Sequence, residues 1–223
     1  MSIRLIAGDV ETTGVSPTDK VVEIAWIELN EDFNIIDSQR SLINPEMSIP
    51  AGSSAVHGIT NSHVADSPTI AEFMADNPID GDALLIAHNA AFDARYFNPW
   101  VPDLVGTICT MKMAREVYPD ADNHKMQTLK FHLGLEADVA HHEAHTAMGD
   151  VKVLIELLRR ISADTGWTWV EMFQFCNTPR VVTKMPFGKH KGKTLRDLPR
   201  SYIKWLLELD NLDADLRHSL QQL

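Results

Sequence analysis

The stretch Ala7-Gly8-Asp9-Val10-Glu11-Thr12-Thr13-Gly14 decides how the start of this chain folds and what chemistry it carries. It completes the apolar run Ile3-Arg4-Leu5-Ile6-Ala7, which predicts a largely buried strand over residues 3–10. Residues two apart on a strand point to the same face, so Asp9 and Glu11 would project together from its carboxyl end. Two negative charges that close are unfavourable unless a cation lies between them. The pair therefore predicts a divalent metal site.

Outward from this stretch, strand patterns alternate with helical ones. Further strands are expected at 21–29, 34–43 (joined to the previous one by a hairpin through 30–33), 83–87 and 105–109. The prolines and glycine in 45–52 predict a loop there. Short helices are expected after Thr60 and from Thr69 to Ala75, another near Asn89, and mostly helices from Met111 onward. The clearest helical spacing is 4, 3, 4, 3, in the residues Ala147, Val151, Leu154, Leu158 and Ile161. This order predicts an α/β fold with a mixed five-stranded sheet flanked by helices.

The charge of the chain is strongly uneven. The 223 residues carry a formal net charge of −11, yet eight basic residues and one acid lie between Arg180 and Lys204. The rest therefore holds 12 basic and 30 acidic residues, a net of −18. We expect a main domain at 1–166, a linker at 167–179 and a small basic C-terminal module at 180–223.

Composition also limits the cellular setting. No apolar run is long enough to cross a membrane, and the first residues lack the flanks of a signal peptide. Cys109 and Cys176 are too few for a disulfide framework. Together these features predict a reducing, cytoplasmic location without membrane contact.

A second polar segment, His88-Asn89-Ala90-Ala91-Phe92-Asp93, follows the apolar strand that ends at Ala87. Asn89 is a good helix N-cap and Asp93 falls in the first helical turn, where an acid is stabilised by the helix dipole. Open α/β sheets, however, place ligands at the carboxyl ends of their strands. Asp93 is therefore either a capping acid or part of a site.

A third segment, His141-His142-Glu143-Ala144-His145-Thr146-Ala147-Met148-Gly149-Asp150, leads into the long helix. Asp150 lies near the core-facing stripe of that helix, where an ionised carboxylate needs a cation or a partner. His145 would lie above it, or else be a surface histidine of a His-rich loop. A zinc site in this loop is a weaker alternative, because it lacks a further ligand at a recognisable spacing.

Taken together, the three segments closely resemble the DEDDh family of 3′→5′ exonucleases. They read Asp-x-Glu-Thr-Thr-Gly, His-Asn-Ala-x-Phe-Asp and His-x4-Asp, in that order. Val56-His57-Gly58-Ile59-Thr60 is similar to a loop of the family, and the Phe-Gly-Lys-x-Lys-Gly stretch is similar to the tail of its exodeoxyribonuclease X group. The resemblance covers residues 3 to about 165 and implies a ribonuclease H-like fold.

The resemblance also implies a mechanism and a set of catalytic residues. Asp9, Glu11 and Asp150 would hold a first metal, Asp9 would reach a second, and Asp93 would support the second metal or its waters. Oxygen ligands suit Mg²⁺ or Mn²⁺, so two such ions are expected as cofactors. His145 would be the general base in hydrolysis of phosphodiester bonds, with nucleoside monophosphates released from DNA 3′ ends, in DNA repair.

Substrate contacts are expected around the same residues. The backbone at Thr12, Thr13 and Gly14 is predicted to meet the 3′-terminal nucleotide. Val15 is either a wedge against the last base or a turn residue. Further candidates are His57, His88, Asn89 and Phe92, although capping explains Asn89 and core packing explains Phe92 equally well.

Other functions remain open at this point. They are an RNA-trimming or polymerase-proofreading exonuclease, a non-catalytic nucleic-acid-binding module, and a zinc hydrolase. The partners implied are DNA 3′ ends, with RNA not excluded, and a homodimer is compatible with the family. The basic module would hold phosphates or simply be a solvated hairpin.

Overall fold

A computed structural model describes residues 3–135, 145–209 and 212–223 of the chain. Five strands form one sheet in the order β3-β2-β1-β4-β5. The first three strands pair antiparallel, whereas β4 runs parallel to both β1 and β5, so the sheet is mixed as predicted. The strands are β1 (Arg4–Thr12), β2 (Val21–Leu29), β3 (Ile35–Leu42), β4 (Ala83–Ala87) and β5 (Leu104–Cys109).

The sheet separates two apolar clusters because successive residues of a strand face opposite sides. Leu5 and Ala7 of β1 belong to one cluster, while Ile6 belongs to the other. A long helix, α7 (Ala147–Thr165), packs into the first cluster through the residues predicted from its spacing. In the second cluster, the rings of Trp26 and Phe73 meet edge-on, with their centroids 5.4 Å apart. With helices contributing to both faces, the inner strands are buried almost throughout.

The remaining helices of the main unit are short. They are α1 (Ala51–His57), α2 (Asn61–Val64), α3 (Ile70–Asp76), α4 (Ala90–Phe97), α5 (Thr110–Val117), α6 (Met126–His132) and α8 (Trp169–Asn177). Helix α1 lies where a loop was predicted. Pro50 immediately precedes this helix, where the missing proline N–H costs no hydrogen bond, so the prolines did not prevent a helix from starting.

Helix α8 occupies most of the segment expected to be a linker. Its Met172 is fully buried in the first apolar cluster, and this burial explains why residues 169–177 are helical. Two compact units result, Met1–Cys176 and Asn177–Leu223.

The C-terminal unit has a small apolar cluster of its own, formed around Met185, Leu195, Leu206, Leu216 and Leu220. It contains two short 3₁₀ turns (Gly188–His190 and Leu195–Asp197) and the helices α9 (Arg200–Leu207) and α10 (Ala214–Gln221). Across the described ranges, none of the helices has the length and apolar character needed to span a membrane.

Candidate metal centre and active site

The acidic pair lies at the end of β1 that extends beyond its parallel neighbour β4. β1 pairs with β4 only from Arg4 to Ala7, so Asp9 and Glu11 stand beyond that pairing, at the carboxyl edge of β4. Their carboxylate oxygens and one of Asp150 all lie within 4.8 Å of one another. The structure therefore joins the first and third predicted segments, 140 residues apart in sequence, in a single cluster.

The start of helix α7 sets the position of Asp150. Thr146 caps the helix, its Oγ1 accepting a hydrogen bond from the Gly149 amide at 3.1 Å. The Ala147 amide donates to Glu23 Oε2 at 3.0 Å, which ties the helix start to β2. Gln127 Nε2 donates to Asp150 Oδ1 at 2.8 Å. The helix's own cap and two hydrogen bonds from other elements thus hold this end of the helix and its carboxylate in place.

Asp93 lies in the first turn of α4 and is 2% exposed. Burial raises its pKa, and hydrogen bonds from the backbone amides of Asp93 itself and of Val10, the residue between Asp9 and Glu11, oppose that rise. Asp93 is not part of the close three-carboxylate group found among the described residues. It is nevertheless the neighbour whose charge most raises the pKa of Asp9. Asp93 therefore borders the cluster rather than joining it.

The four carboxyl groups are poorly suited to carry charge without a cation. Burial is the largest cause in each case: it raises the pKa of Asp9 and Asp150, and raises that of Glu11 and of Asp93 to about 8. Repulsion among the carboxylates adds to the rise for Asp9 and Glu11. A bound cation would remove that repulsion, and an all-oxygen donor set suits a hard divalent ion. The cluster is a divalent-metal site by this test.

His145 stands just ahead of the helix cap and is exposed, with a left-handed backbone at φ +60°. Its charge and its backbone amide both lower the pKa of Asp150, against the larger effect of burial. His145, the predicted general base, thus lies beside the cluster and is exposed to solvent. His141 and His142, the other residues of the alternative zinc site, lie outside the described residues.

The Thr-Thr-Gly loop is held by internal hydrogen bonds. Thr12 Oγ1 donates to the Gly14 carbonyl at 2.6 Å, and Thr13 Oγ1 donates to Asp19 Oδ1 at 2.9 Å. A Cβ on Gly14 would lie 2.5 Å from Asp19 Oδ2. The close approach of the Asp19 carboxylate is thus one reason for a glycine at position 14. Val15 is 79% exposed at the tip of this loop.

His57 and His88 have different surroundings. His57 is buried, and its Nδ1 accepts from the Ile59 amide at 3.0 Å. Its Nε2 has no hydrogen-bond partner among the described residues, and burial lowers its pKa. His88 is fully engaged, with Nδ1 2.9 Å from Thr110 Oγ1 and Nε2 2.8 Å from the His124 carbonyl. His88 therefore braces the chain after β4, while the Nε2 of His57 is buried.

Asn89 and Phe92 follow His88 on the exposed side. Asn89 precedes α4 as expected, but its backbone is left-handed at φ +72° and its side chain makes no capping hydrogen bond. The capping explanation for Asn89 is therefore wrong, because a left-handed residue cannot aim its side chain at the helix amides in the usual way. Phe92 is half-buried, with the Arg95 guanidinium 4.6 Å from its ring centroid and Tyr96 at 5.5 Å.

Two residues of the site were missed from sequence. Glu23 is 1% exposed, lies opposite Glu11 in the β1–β2 pairing, and accepts from Arg40 Nε at 2.8 Å as well as from the Ala147 amide. Glu23 is one of two acids in the strand Val21–Leu29, and its place between Val22 and Ile24 was a usable signal. Gln127, which donates to Asp150, gave no signal because nothing in its local pattern sets it apart.

Two family models match the chain. Residues 6–158 match a family described as "Exonuclease" (RNase_T). Residues 179–220 match a model described as "Putative quorum-sensing-regulated virulence factor". The two matches fall on the two compact units in turn.

Known proteins agree with the first model. Exodeoxyribonuclease 10 of Escherichia coli (strain K12) is 32% identical over 98% of this chain and 97% of its own length. A PolC-type DNA polymerase III of Clostridium perfringens is 34% identical over 68% of this chain, although that region is only 11% of the polymerase. A solved structure of Exonuclease X in complex with 5′ overhanging duplex DNA superposes with a TM-score of 0.64 at 31% identity, covering 78% of this chain and 99% of that one.

Proposed function

This chain belongs to the exonuclease family, and we propose from that premise that it is a 3′→5′ exodeoxyribonuclease. It would hydrolyse phosphodiester bonds at DNA 3′ ends and release nucleoside monophosphates. The observation that carries the proposal is the convergence of Asp9, Glu11 and Asp150 within 4.8 Å. Its similarity to Exodeoxyribonuclease 10 over nearly the whole chain supports DNA as the substrate, and DNA repair is the corresponding process.

We propose two cations at the site, Mg²⁺ or Mn²⁺. Asp9, Glu11 and Asp150 would hold the first, while Asp9 reaches the second and Asp93 supports it or its waters. When bound, such a pair would supply an activated water and would neutralise charge on the leaving oxygen. Gln127 and Glu23 orient the ligands, Gln127 by its bond to Asp150 and Glu23 by fixing the start of α7.

His145 would serve as the general base. It takes a proton from the attacking water, whose oxygen bonds to phosphorus as the bond from phosphorus to the leaving O3′ breaks. Its exposure and its position next to Thr146, ahead of Asp150, support this role. A His145→Ala variant should keep its DNA affinity while losing orders of magnitude in turnover.

The terminal nucleotide would be bound by the loop after β1. Val15, exposed at the loop tip, is suited to wedge against the last base. The hydroxyls of Thr12 and Thr13 are engaged within the loop, so these residues and Gly14 would contact the nucleotide through their backbone. His57 stays a predicted substrate-binding residue, and its Nε2 is buried in this structure. Asn89 and Phe92 would line the same pocket, with His88 bracing it.

The decisive experiment compares strands labelled at the 3′ end or the 5′ end, each as DNA and as RNA, with Mg²⁺, Mn²⁺ or EDTA. The proposal expects metal-dependent release of labelled mononucleotide from 3′-labelled DNA at once, and a stepwise ladder from 5′-labelled DNA. Asp150→Asn should abolish both, whereas Asp66→Asn, an exposed acid elsewhere in the unit, should not. Absence of cleavage with every metal would contradict the proposal and favour a non-catalytic nucleic-acid-binding module. Faster cleavage of RNA than of DNA would identify RNA as the substrate.

A proofreading role is the second candidate, supported by the similarity to the PolC-type polymerase. It expects strong preference for a mismatched 3′ terminus over a paired one, measured on the same duplexes. A homodimer stays a prediction, and sedimentation at increasing concentration checks it.

A further inference from the structure

The surface of the C-terminal unit carries aromatic side chains that its core leaves partly exposed, although Tyr202 also packs against the apolar cluster. Leu206 of α9 points into the apolar cluster and is fully buried, whereas its neighbour Trp205 is 50% exposed. Tyr202, one turn earlier, stacks against Trp205 with ring centroids 5.3 Å apart and planes at 27°. The His190 ring meets Tyr202 edge-on at 4.6 Å. These three rings form one continuous aromatic platform.

The platform lines an open groove of about 570 Å³, together with Gly188, Lys189 and Pro199. Gly188 has φ +68°, so the turn that brings Lys189 and His190 over α9 depends on a left-handed backbone. The groove is therefore built by a specific turn packed on one helix.

Positive charge borders this groove along the turn that holds Lys189. Lys189 Nζ lies 5.2 Å from the Tyr202 ring centroid, and Lys191 and Lys193 follow, exposed, in the same turn. The segment from Arg180 to Lys204 has eight basic residues and one acid, against a net of −18 for the rest of the chain. Phosphates would therefore be drawn to this unit rather than to the acidic remainder.

We propose that this groove binds single-stranded nucleic acid, with a base stacked on Trp205 and the adjoining phosphates on Lys189 and its neighbours. Stackable rings beside a basic track are the combination that binds unpaired strands without reading sequence, since every base has a π-face. The basic charge next to the rings complements a phosphate backbone, which favours a nucleic acid over a protein or a lipid surface. The site is separate from the metal centre and goes beyond the proposed function, because binding here requires neither metal nor hydrolysis.

The test measures binding of a fluorescent oligothymidylate to the full chain in EDTA, at several salt concentrations. Trp205→Ala should weaken binding by about tenfold or more, which is the usual effect of losing one base–aromatic stack. It should leave unchanged the salt slope, meaning the slope of log affinity against log salt concentration. Trp205→Phe should restore most of the affinity. Lys189→Ala should reduce the salt slope by about one.

A matched control lies in the same unit but lines a different cavity. Val181→Ala removes an exposed apolar side chain and should change affinity by no more than about twofold. A strand of abasic sites should bind the wild type and Trp205→Ala equally. Equal oligonucleotide affinity for Trp205→Ala and the wild type overturns the proposal, even if the surface captures a protein instead. These readouts in EDTA are independent of whether the metal centre cleaves DNA.

Discussion

Replacing Glu11 by glutamine should stabilise the metal-free protein at pH 8 and remove the stabilisation given by a divalent cation. Burial and the charges of Asp150 and Glu23 raise the pKa of Glu11 from 4.5 to about 8. The glutamine has nearly the same shape and no charge, so it removes the repulsion without leaving a cavity. A residue with only a structural role would change stability in the opposite direction.

The magnitude follows from the raised pKa. Below about pH 4.5 the carboxyl group is protonated in both the folded and the unfolded chain, so it costs nothing. As pH rises from 4.5 to about 8 the unfolded chain loses the proton while the folded one retains it, and folding stability falls. At about 1.4 kcal/mol per pH unit the upper bound is roughly 5 kcal/mol. Because neighbouring carboxyl groups readjust, we expect about 2–3 kcal/mol, or a Tm rise of roughly 5–10 °C.

Calorimetry of the wild type, Glu11→Gln and Asp66→Asn checks this, each in EDTA and with Mg²⁺, at about pH 4 and pH 8. The Glu11 variant should gain Tm over the wild type only at pH 8 in EDTA, and Mg²⁺ should raise the Tm of the wild type but hardly that of the variant. The exposed Asp66 serves as the control for loss of one negative charge. A Glu11→Gln protein less stable than the wild type in EDTA at pH 8 would refute the reasoning.

Three further substitutions probe the supporting residues. Glu23→Gln leaves either the Ala147 amide or Arg40 without its acceptor, so the protein should lose about 1–3 kcal/mol of folding stability. Its metal affinity in calorimetric titration should also weaken. Unchanged stability and unchanged metal affinity would exclude a positioning role for Glu23. Gly14→Ala forces a Cβ against Asp19 and should cost about 1–3 kcal/mol by denaturant unfolding, a loss that shrinks when Asp19 is also truncated. Val15→Ala should leave Tm within about 1 °C, since the side chain is exposed, but lower the rate on paired 3′ ends more than on unpaired ones; equal rates on the two substrates would assign Val15 to the turn alone.

Local pattern was sufficient for much of the fold. The strand at Val21–Leu29 and the buried stripe of α7 are visible in sequence, because alternation and helical spacing are set by nearest neighbours along the chain. Helix α1 and helix α8 were not predicted. Pro50 marks a break in sequence but precedes a helix in the structure, and α8 is fixed by burial of Met172 in a distant cluster.

The acidic motif by itself predicted a cation near residue 9, since two carboxylates on one strand face repel each other unless a positive charge or a proton lies between them. Only the tertiary structure decided how the site is held. Asp150 joins the pair because Glu23 and Gln127, from two other elements, fix its helix end and its carboxylate. It also decided that Gly14 is small to admit Asp19, and that Trp205 is left outside its core. These outcomes depend on contacts between residues far apart in sequence, which no local pattern records.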